Sequence, residues 1–408
     1  MSLPFARLLA ITILLFGAAA PSWGQVAVPI RDDAMNNPHK HAWDLFLALN
    51  HPAKDPKIER GVADETKHIG DAGLTVWETW KLARTEVFLE DGSKPLPWEV
   101  LPDGDIAVKS FDAAKPVLLR ALAQGFQEEE IKKFSRFDFQ NIIAVDPGDG
   151  QFDPNNFSGG GETRMNRATF EFIADDNNQL YNWEGQEKFF ADVISGVRKP
   201  LSLPVDSIEV KAMWIAFSDE DIANGKYKTY HTSKDKDGKL YGLVALHIIT
   251  KDIPNWFWSS FHHVGDKVPL VPPRDDYGRP SVLKGTVWEY YALSGTQTDF
   301  VDSVGRATLL SDPHVENGFE RSSCISCHAQ ASIGARAVGA TRPNRLPVFQ
   351  VQRTNPDVLR PLPGFDLPSN YASIGIPYAD QYYDPIGRLR YMQLDFLFSL
   401  HIRANQKQ

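Results

Sequence analysis

The sequence has very little cysteine: its 408 residues include two, Cys324 and Cys327. Two cysteines cannot build the multi-bridge framework that stabilises small exported domains. They also supply only half of the four ligands that a structural zinc site needs. The stability of the chain must therefore come from a large apolar core, and a chain of this length can form one and can divide into two domains.

Long apolar runs and an excess of positive charge are also missing. After the first 24 residues, no stretch has the length and apolarity of a membrane-spanning helix. The 43 Lys and Arg residues are outnumbered by 52 Asp and Glu residues, so the net charge is -9 with neutral histidines. This balance argues against nucleic acid and anionic membrane surfaces as partners.

Several catalytic signatures are absent as well. The sequence has no G-x-S-x-G elbow, no H-E-x-x-H pair and no dinucleotide-binding fingerprint. The run Gly159-Gly160-Gly161 lacks the Lys-Ser/Thr that follows in a phosphate-binding loop. Around it, the segment 146–161 carries Asp146, Asp149 and Asp153 without EF-hand spacing, which favours a solvated loop over a calcium site.

The most informative stretch is Cys324-Ile325-Ser326-Cys327-His328. At this C-x-x-C-H spacing, two thiols can add across the two vinyl groups of one haem while the next histidine ligates the iron. The alternatives are a dithiol redox pair, which needs no following histidine, and half of a zinc site. At this motif the chain resembles c-type cytochromes. The resemblance implies one covalent haem c attached at Cys324 and Cys327, with His328 as the proximal iron ligand.

The first residues are typical of an export signal. Arg7 precedes an apolar segment (residues 8–16), and Ser22-Trp23-Gly24 has the small-x-small pattern of a cleavage site. We expect residues 1–24 to be a signal peptide cleaved after Gly24, with a retained anchor as the alternative. Cleavage removes Arg7 and no acidic residue, so the net charge becomes -10. By the resemblance, haem of this type is attached outside the bacterial cytoplasm, so we expect a periplasmic protein with no further membrane insertion.

The apolar pattern predicts an α+β fold in two parts. Residues 25–300 form an α+β domain of unknown role, with aromatic helices at 41–50 and 75–81. Strict alternation over 208–214, a hairpin over 227–249 and a strand over 286–293 make this domain β-rich from about residue 200.

Residues 301–408 are predicted to be a mainly α-helical, cytochrome-c-like haem-binding region. A helix over 316–328 would deliver the motif, and an amphipathic helix over 391–400 would cross it. The intervening residues 333–386 are rich in proline and glycine, which suits loops around a cofactor.

The sixth ligand of the iron stays open at this stage. Met392 is the only methionine after the motif, but it falls within the predicted last helix, where an apolar residue most often packs in the core. The other candidates are a histidine, or an open position that would permit ligand binding. Adjacent residues point in different directions, so at most one of His262 and His263 could serve a given iron. The histidines considered are His262, His263, His314 and His401.

Five strings of the chain resemble exported bacterial proteins described as cytochrome-c-domain family members: residues 41–49, 77–89, 162–170, 246–264 and 323–331. The resemblance supports the haem prediction and implies no substrate. We therefore expect a periplasmic mono-haem cytochrome that transfers electrons to or from a partner protein. The alternative is a peroxidase-like haem enzyme, or a gas or redox sensor, with an open iron site. For that alternative, Arg336, His314 and the pair His262-His263 are candidate distal groups. The sequence does not indicate an oligomeric state.

Overall fold

The computed structural model describes residues 31–103, 106, 108–109, 160–265, 278–310, 312, 323–346, 375–377 and 379–408. The predicted signal peptide, nearly all of the segment 146–161 and His314 lie outside these residues, so the predictions made for them are not addressed by the fold.

One large sheet organises the described chain. Its central strands run in the order β1-β3-β4-β6-β7-β8 and are antiparallel. β5 pairs with the beginning of β6, and β2 joins β5 in parallel. The strands are β1 (Lys81–Leu82), β2 (Val108–Lys109), β3 (Gly160–Met165), β4 (Ile208–Ala216), β5 (Thr232–Asp235), β6 (Leu240–Thr250), β7 (Phe257–His263) and β8 (Tyr291–Gln297).

Alternating side chains give this sheet two different faces. On β4, Val210, Ala212 and Trp214 are buried on one face, while Glu209 and Lys211 lie on the other. The first face, here called the aromatic face, packs against the helix Pro38–Asn50. On the opposite face, His328 contacts Trp258 and Ser399 pairs with Glu209, so described residues after 300 cover this face and place the C-x-x-C-H motif there.

The helices are short. They are α1 (Asp33–Asn36), α2 (Pro38–Asn50), α3 (Arg167–Ala174), α4 (Trp183–Ile194), α5 (Asp219–Ala223), α6 (Cys324–His328), α7 (Ala379–Tyr382) and α8 (Phe398–Arg403). α2 has proline at its first position and ends before His51-Pro52. Its Trp43 and Phe46 rings contact Phe261 of β7 at 5.0 and 4.5 Å between ring centroids.

Several local predictions are confirmed. The helix over 41–50 is the main part of α2, and the alternating segment 208–214 lies in β4. β5 and β6 form a hairpin, but its first strand begins at Thr232 rather than at Tyr227, because Lys226–Thr229 forms a 3-10 turn. The strand expected at 286–293 begins only at Tyr291, because Val287–Tyr290 forms a 3-10 turn. The helix expected at 75–81 is reduced to the 3-10 turn Trp77–Thr79.

The predicted fold class is wrong. β1 and β3 belong to the main sheet although they precede residue 200, and no mainly α-helical, cytochrome-c-like region is evident among the described residues after 300. That part contains the short helices α6, α7 and α8 and a two-stranded ribbon of β9 (Ser332–Gly334) and β10 (Tyr391–Gln393).

Two helix predictions differ from the structure over the described residues. Of the helix predicted over 316–328, residues 316–322 lie outside the described part; Ser323 is extended and bridges to Leu310, so α6 begins at Cys324. The helix predicted over 391–400 is interrupted: β10 pairs with β9, and Asp395 and Phe396 then adopt left-handed conformations before α8 begins.

A continuous apolar cluster joins residues on both sides of residue 300. Trp258 and Leu246 of the sheet belong to the same buried cluster as Ile325 and Leu397. The domain boundary predicted at residue 300 therefore stays a prediction. The motif itself packs against one face of the sheet. In the described part of the chain, every helix is too short or too polar to cross a bilayer.

Candidate functional site

The motif forms a single helical turn, α6, whose start is held by the sheet. Ser323 caps α6 by accepting a hydrogen bond from the Ser326 backbone at 3.3 Å. Gln297, at the end of β8, donates to the Ser323 hydroxyl at 2.7 Å and accepts from the Ile325 backbone at 3.0 Å. The position of the motif is therefore fixed by an element of the main sheet.

The two thiols lie one helical turn apart. Neither forms a disulfide bond; Cys324 is buried, with its Sγ 3.0 Å from the Leu310 carbonyl oxygen, and Cys327 is half-buried. Residues three apart on a helix lie on the same side. The two sulfurs therefore belong to the same side of α6.

His328 presents one nitrogen for ligation. Its Nδ1 lies 2.7 Å from the Phe396 carbonyl oxygen, which can only accept, so Nδ1 carries the hydrogen and Nε2 has the free lone pair. Burial lowers the pKa of His328 to about 4, the Phe396 hydrogen bond opposes this shift, and the positive charge of Lys211 lowers the pKa further. The imidazole is therefore neutral at neutral pH, which is the form that binds a metal.

Two aromatic rings hold the His328 imidazole in place. Trp258 of β7 and Phe398 of α8 each contact it edge-on, with 4.7 Å between ring centroids. The Phe396 carbonyl is positioned by the left-handed turn at 395–396, where Asp395 accepts from the Leu203 backbone at 2.6 Å and pairs with Lys251 at 2.5 Å. The orientation of His328 thus depends on residues distant in sequence.

A polar row crosses the sheet beside the motif. Thr163, Lys211, His247 and Ser260 lie opposite one another on β3, β4, β6 and β7, and they are called the polar row below. His247 Nε2 lies 3.1 Å from the Ser260 hydroxyl, which is also 3.4 Å from Asp312. The neighbouring row on the same face includes Trp258.

The charges of the polar row and the motif interact. Burial lowers the pKa of His247 to about 3, and the positive charges of Lys211 and of protonated His328 lower it further. Sequence reasoning missed Lys211 and His247. Strand alternation places Lys211 on the less apolar face of β4, but only the fold shows that the motif covers this face.

The residues fit a covalently attached haem. Two thiols on one helical turn, not joined in a disulfide, match the two vinyl groups of a porphyrin edge, and the adjacent neutral imidazole would keep Nε2 for the iron. Within the described ranges, no group of three or more His, Cys, Asp or Glu side chains is placed to hold a metal ion.

The structure places Met392 in the ribbon and His401 in α8, and the role of Met392 as sixth ligand stays a prediction. Met392 is buried in the apolar core, opposite Ile333 in the ribbon. The His401 Nδ1 accepts a hydrogen bond from the Ser332 backbone at 3.0 Å, so Nε2 carries the hydrogen and neither nitrogen is free to ligate.

The adjacent histidines point to opposite faces of β7. His262 lies on the face of the polar row, and its Nδ1 is 2.6 Å from the Ser294 hydroxyl. His263 lies on the aromatic face, stacked on Tyr230 with 3.5 Å between centroids. Arg336, a candidate distal group, is tied to Glu187 of α4 by hydrogen bonds of 2.7 and 3.0 Å.

Comparisons with protein-family models, with curated proteins and with solved structures found no match. The functional argument therefore depends on the geometry of the site.

Proposed function

We propose that this chain is a periplasmic c-type haem protein with one covalently bound haem, and that it transfers electrons to or from a partner protein. The observation that carries the proposal is the geometry of α6. Its two thiols lie one turn apart and form no disulfide, and the Nδ1 of His328 donates to Phe396 so that Nε2 is left for the iron. A dithiol redox pair would have no use for this tethered, neutral histidine.

When bound, the haem supplies reversible Fe(III)/Fe(II) cycling. Cys324 and Cys327 hold the group by thioether bonds, and His328 ligates through Nε2. The Phe396 carbonyl keeps the imidazole in one tautomer and orientation, which strengthens it as a ligand. Trp258 and Phe398 exclude water from the ring and restrict its movement.

The location and partners belong to the same proposal. Residues 1–24 direct export, and cleavage after Gly24 releases the mature chain into the periplasm. A single haem cannot form an internal chain of redox centres, so each electron passes directly between this protein and its partner.

A second candidate function is a haem enzyme of peroxidase type, or a gas or redox sensor. The observation that favours it is the polar row, which places a neutral imidazole and an ammonium group on the sheet face that the motif covers. A distal base and a cation are the groups that polarise a ligand bound to an open iron position.

The two functions are separated by absorption spectra of the exported protein, oxidised and reduced, with and without carbon monoxide. Electron transfer predicts a low-spin spectrum that carbon monoxide does not change, because both axial positions are filled. A high-spin ferric protein that binds carbon monoxide after reduction would instead support the enzyme or sensor.

Covalent attachment is tested by replacing both Cys324 and Cys327 with Ala. The double variant should release its haem on denaturation, whereas wild type keeps haem stain in a denaturing gel. Ser326→Ala is the matched control, since it changes the same helical turn without removing a thiol. Retained stain in the double variant would refute thioether attachment.

A further inference from the structure

Lys211 lies on the sheet face that carries the motif, one row away from Trp258. It sits on β4 directly opposite His247 of β6, while Trp258 of β7 touches the His328 ring. Lys211 and Trp258 are separated by one row, about 7 Å along the strands, and by two strand steps of about 4.8 Å each across the sheet, so their backbones are about 12 Å apart.

The charge of Lys211 acts on the sheet face that the motif covers. Lys211 lies directly opposite His247 on the neighbouring strand and lowers its pKa, so a positive potential is present on this face. Lys211 is half-buried, and a charge in this position is screened less by solvent and salt than an exposed one.

We propose that the Lys211 ammonium raises the reduction potential of iron bound at His328, making Lys211 a tuning residue of the redox site. The inference rests on the haem attachment proposed above. Reduction changes Fe(III) to Fe(II) by one electron and removes one positive charge from the iron. A nearby cation repels the oxidised form more strongly and therefore favours the reduced form.

Other charged groups near this face include acidic side chains, which favour oxidised iron, and a basic side chain, which favours reduced iron. Glu209, two residues before Lys211 on the same strand, is buried and hydrogen-bonded to Ser399. Asp312 lies beside Ser260, and Arg403 approaches Thr163 at 3.4 Å. Among the described residues, Lys211 is the cation of the polar row, so its replacement removes a positive charge directly opposite His247.

The test compares midpoint potentials of purified, haem-loaded variants by spectroelectrochemical titration. Lys211→Met removes the charge and keeps much of the side-chain volume, while Lys211→Arg keeps the charge. Lys236→Met makes the same charge change at an exposed position in the β5–β6 turn. We expect Lys211→Met to lower the midpoint potential, and Lys211→Arg and Lys236→Met to leave it near that of wild type.

The haem content of the denatured protein shows whether a negative result contradicts the proposed function or only the inference about Lys211. Wild type without covalent haem would overturn the proposed function and this inference together. Wild type with haem and Lys211→Met with an unchanged or higher midpoint potential would overturn the inference alone. If Lys211→Met does not accumulate, Lys211→Gln replaces it, and the same lowering of the midpoint potential is required.

Discussion

Glu209 is a buried carboxyl group on the face of the sheet that holds the motif. It is hydrogen-bonded to Ser399 of α8, and only 6% of its surface is exposed. Burial raises the pKa of Glu209 from 4.5 to about 7, while Ser399, Arg403 and Lys211 act in the opposite direction. Above neutral pH the Glu209 carboxyl group is ionised, and this ionisation lowers the free energy of unfolding.

Glu209→Gln should remove a pH dependence of stability. The folded chain holds the Glu209 proton more tightly than the unfolded chain, so the free energy of unfolding falls as pH rises from 4.5 to about 7. At pH 8 the variant should exceed wild type by up to about 3 kcal/mol, and this advantage should disappear near pH 4.

Denaturant unfolding at pH 4, 6 and 8 measures this difference. Glu171→Gln, at a half-exposed position of α3, is the control and should show little change. An equal effect of Glu209→Gln at all three pH values would contradict the linkage to burial.

At the scale of elements, α6 is too short to be stable by itself. It depends on the Ser323 cap and on Gln297, which holds both Ser323 and the Ile325 backbone. Ser323 is fully buried, so losing its hydroxyl leaves polar partners without hydrogen bonds.

Ser323→Ala is therefore expected to lower the free energy of unfolding by about 1–2 kcal/mol. It should also reduce the fraction of chain that carries haem, because the two thiols would no longer be held one turn apart. Both quantities can be measured on one preparation. Ser218→Ala, at the exposed cap of α5, is the control: a comparable loss of stability is possible there, but haem content should not change.

The elements predicted correctly are those that local patterns specify. α2 follows from helical apolar spacing and from the proline after His51, and β4 follows from strict alternation. The start of α6 and the strand β10 depend on distant partners, Leu310 for Ser323 and Ile333 for Met392. Such pairings leave no periodic signal in the sequence.

The candidate site also contains residues that a local pattern suggests and residues that only distant contacts bring to it. Cys324, Cys327 and His328 became candidates through their spacing, because covalent haem attachment would require neighbouring residues. Their role in attachment stays a prediction. The Phe396 carbonyl is 68 residues from His328, and its position depends on a left-handed turn. Lys211 and Trp258 come to the site only through the order of strands, which the sequence does not show.

For the whole molecule, buried histidines should set the sensitivity to acid. Burial lowers the pKa of His247 to about 3 and the pKa of His401 well below its ordinary value. The unfolded chain then binds more protons than the folded chain between about pH 3 and 6.5, so stability decreases as pH falls below 6.5. The pH dependence of stability that comes from these histidines is opposite in sign to the one that comes from Glu209.

His247→Gln should make acid unfolding less steep between pH 6.5 and 4. Glutamine can still pair with Ser260 but does not titrate. The measurement is the midpoint of denaturant unfolding as a function of pH, with the exposed His68→Gln as control. A slope equal to that of wild type would show that the protonation of His247 does not contribute.

The burial of Cys324 also constrains the order of events in biogenesis. Its sulfur lies against the Leu310 carbonyl in the folded chain, and residues 391–404 help to close the chain over the motif. A porphyrin is far too large to reach such a thiol. Under the proposed attachment, we therefore expect the haem to be joined to a chain that has not finished folding, before residues 391–404 pack over the motif. Haem and attachment machinery supplied to the folded apo-chain should then give little product, and adding mild denaturant should increase the yield.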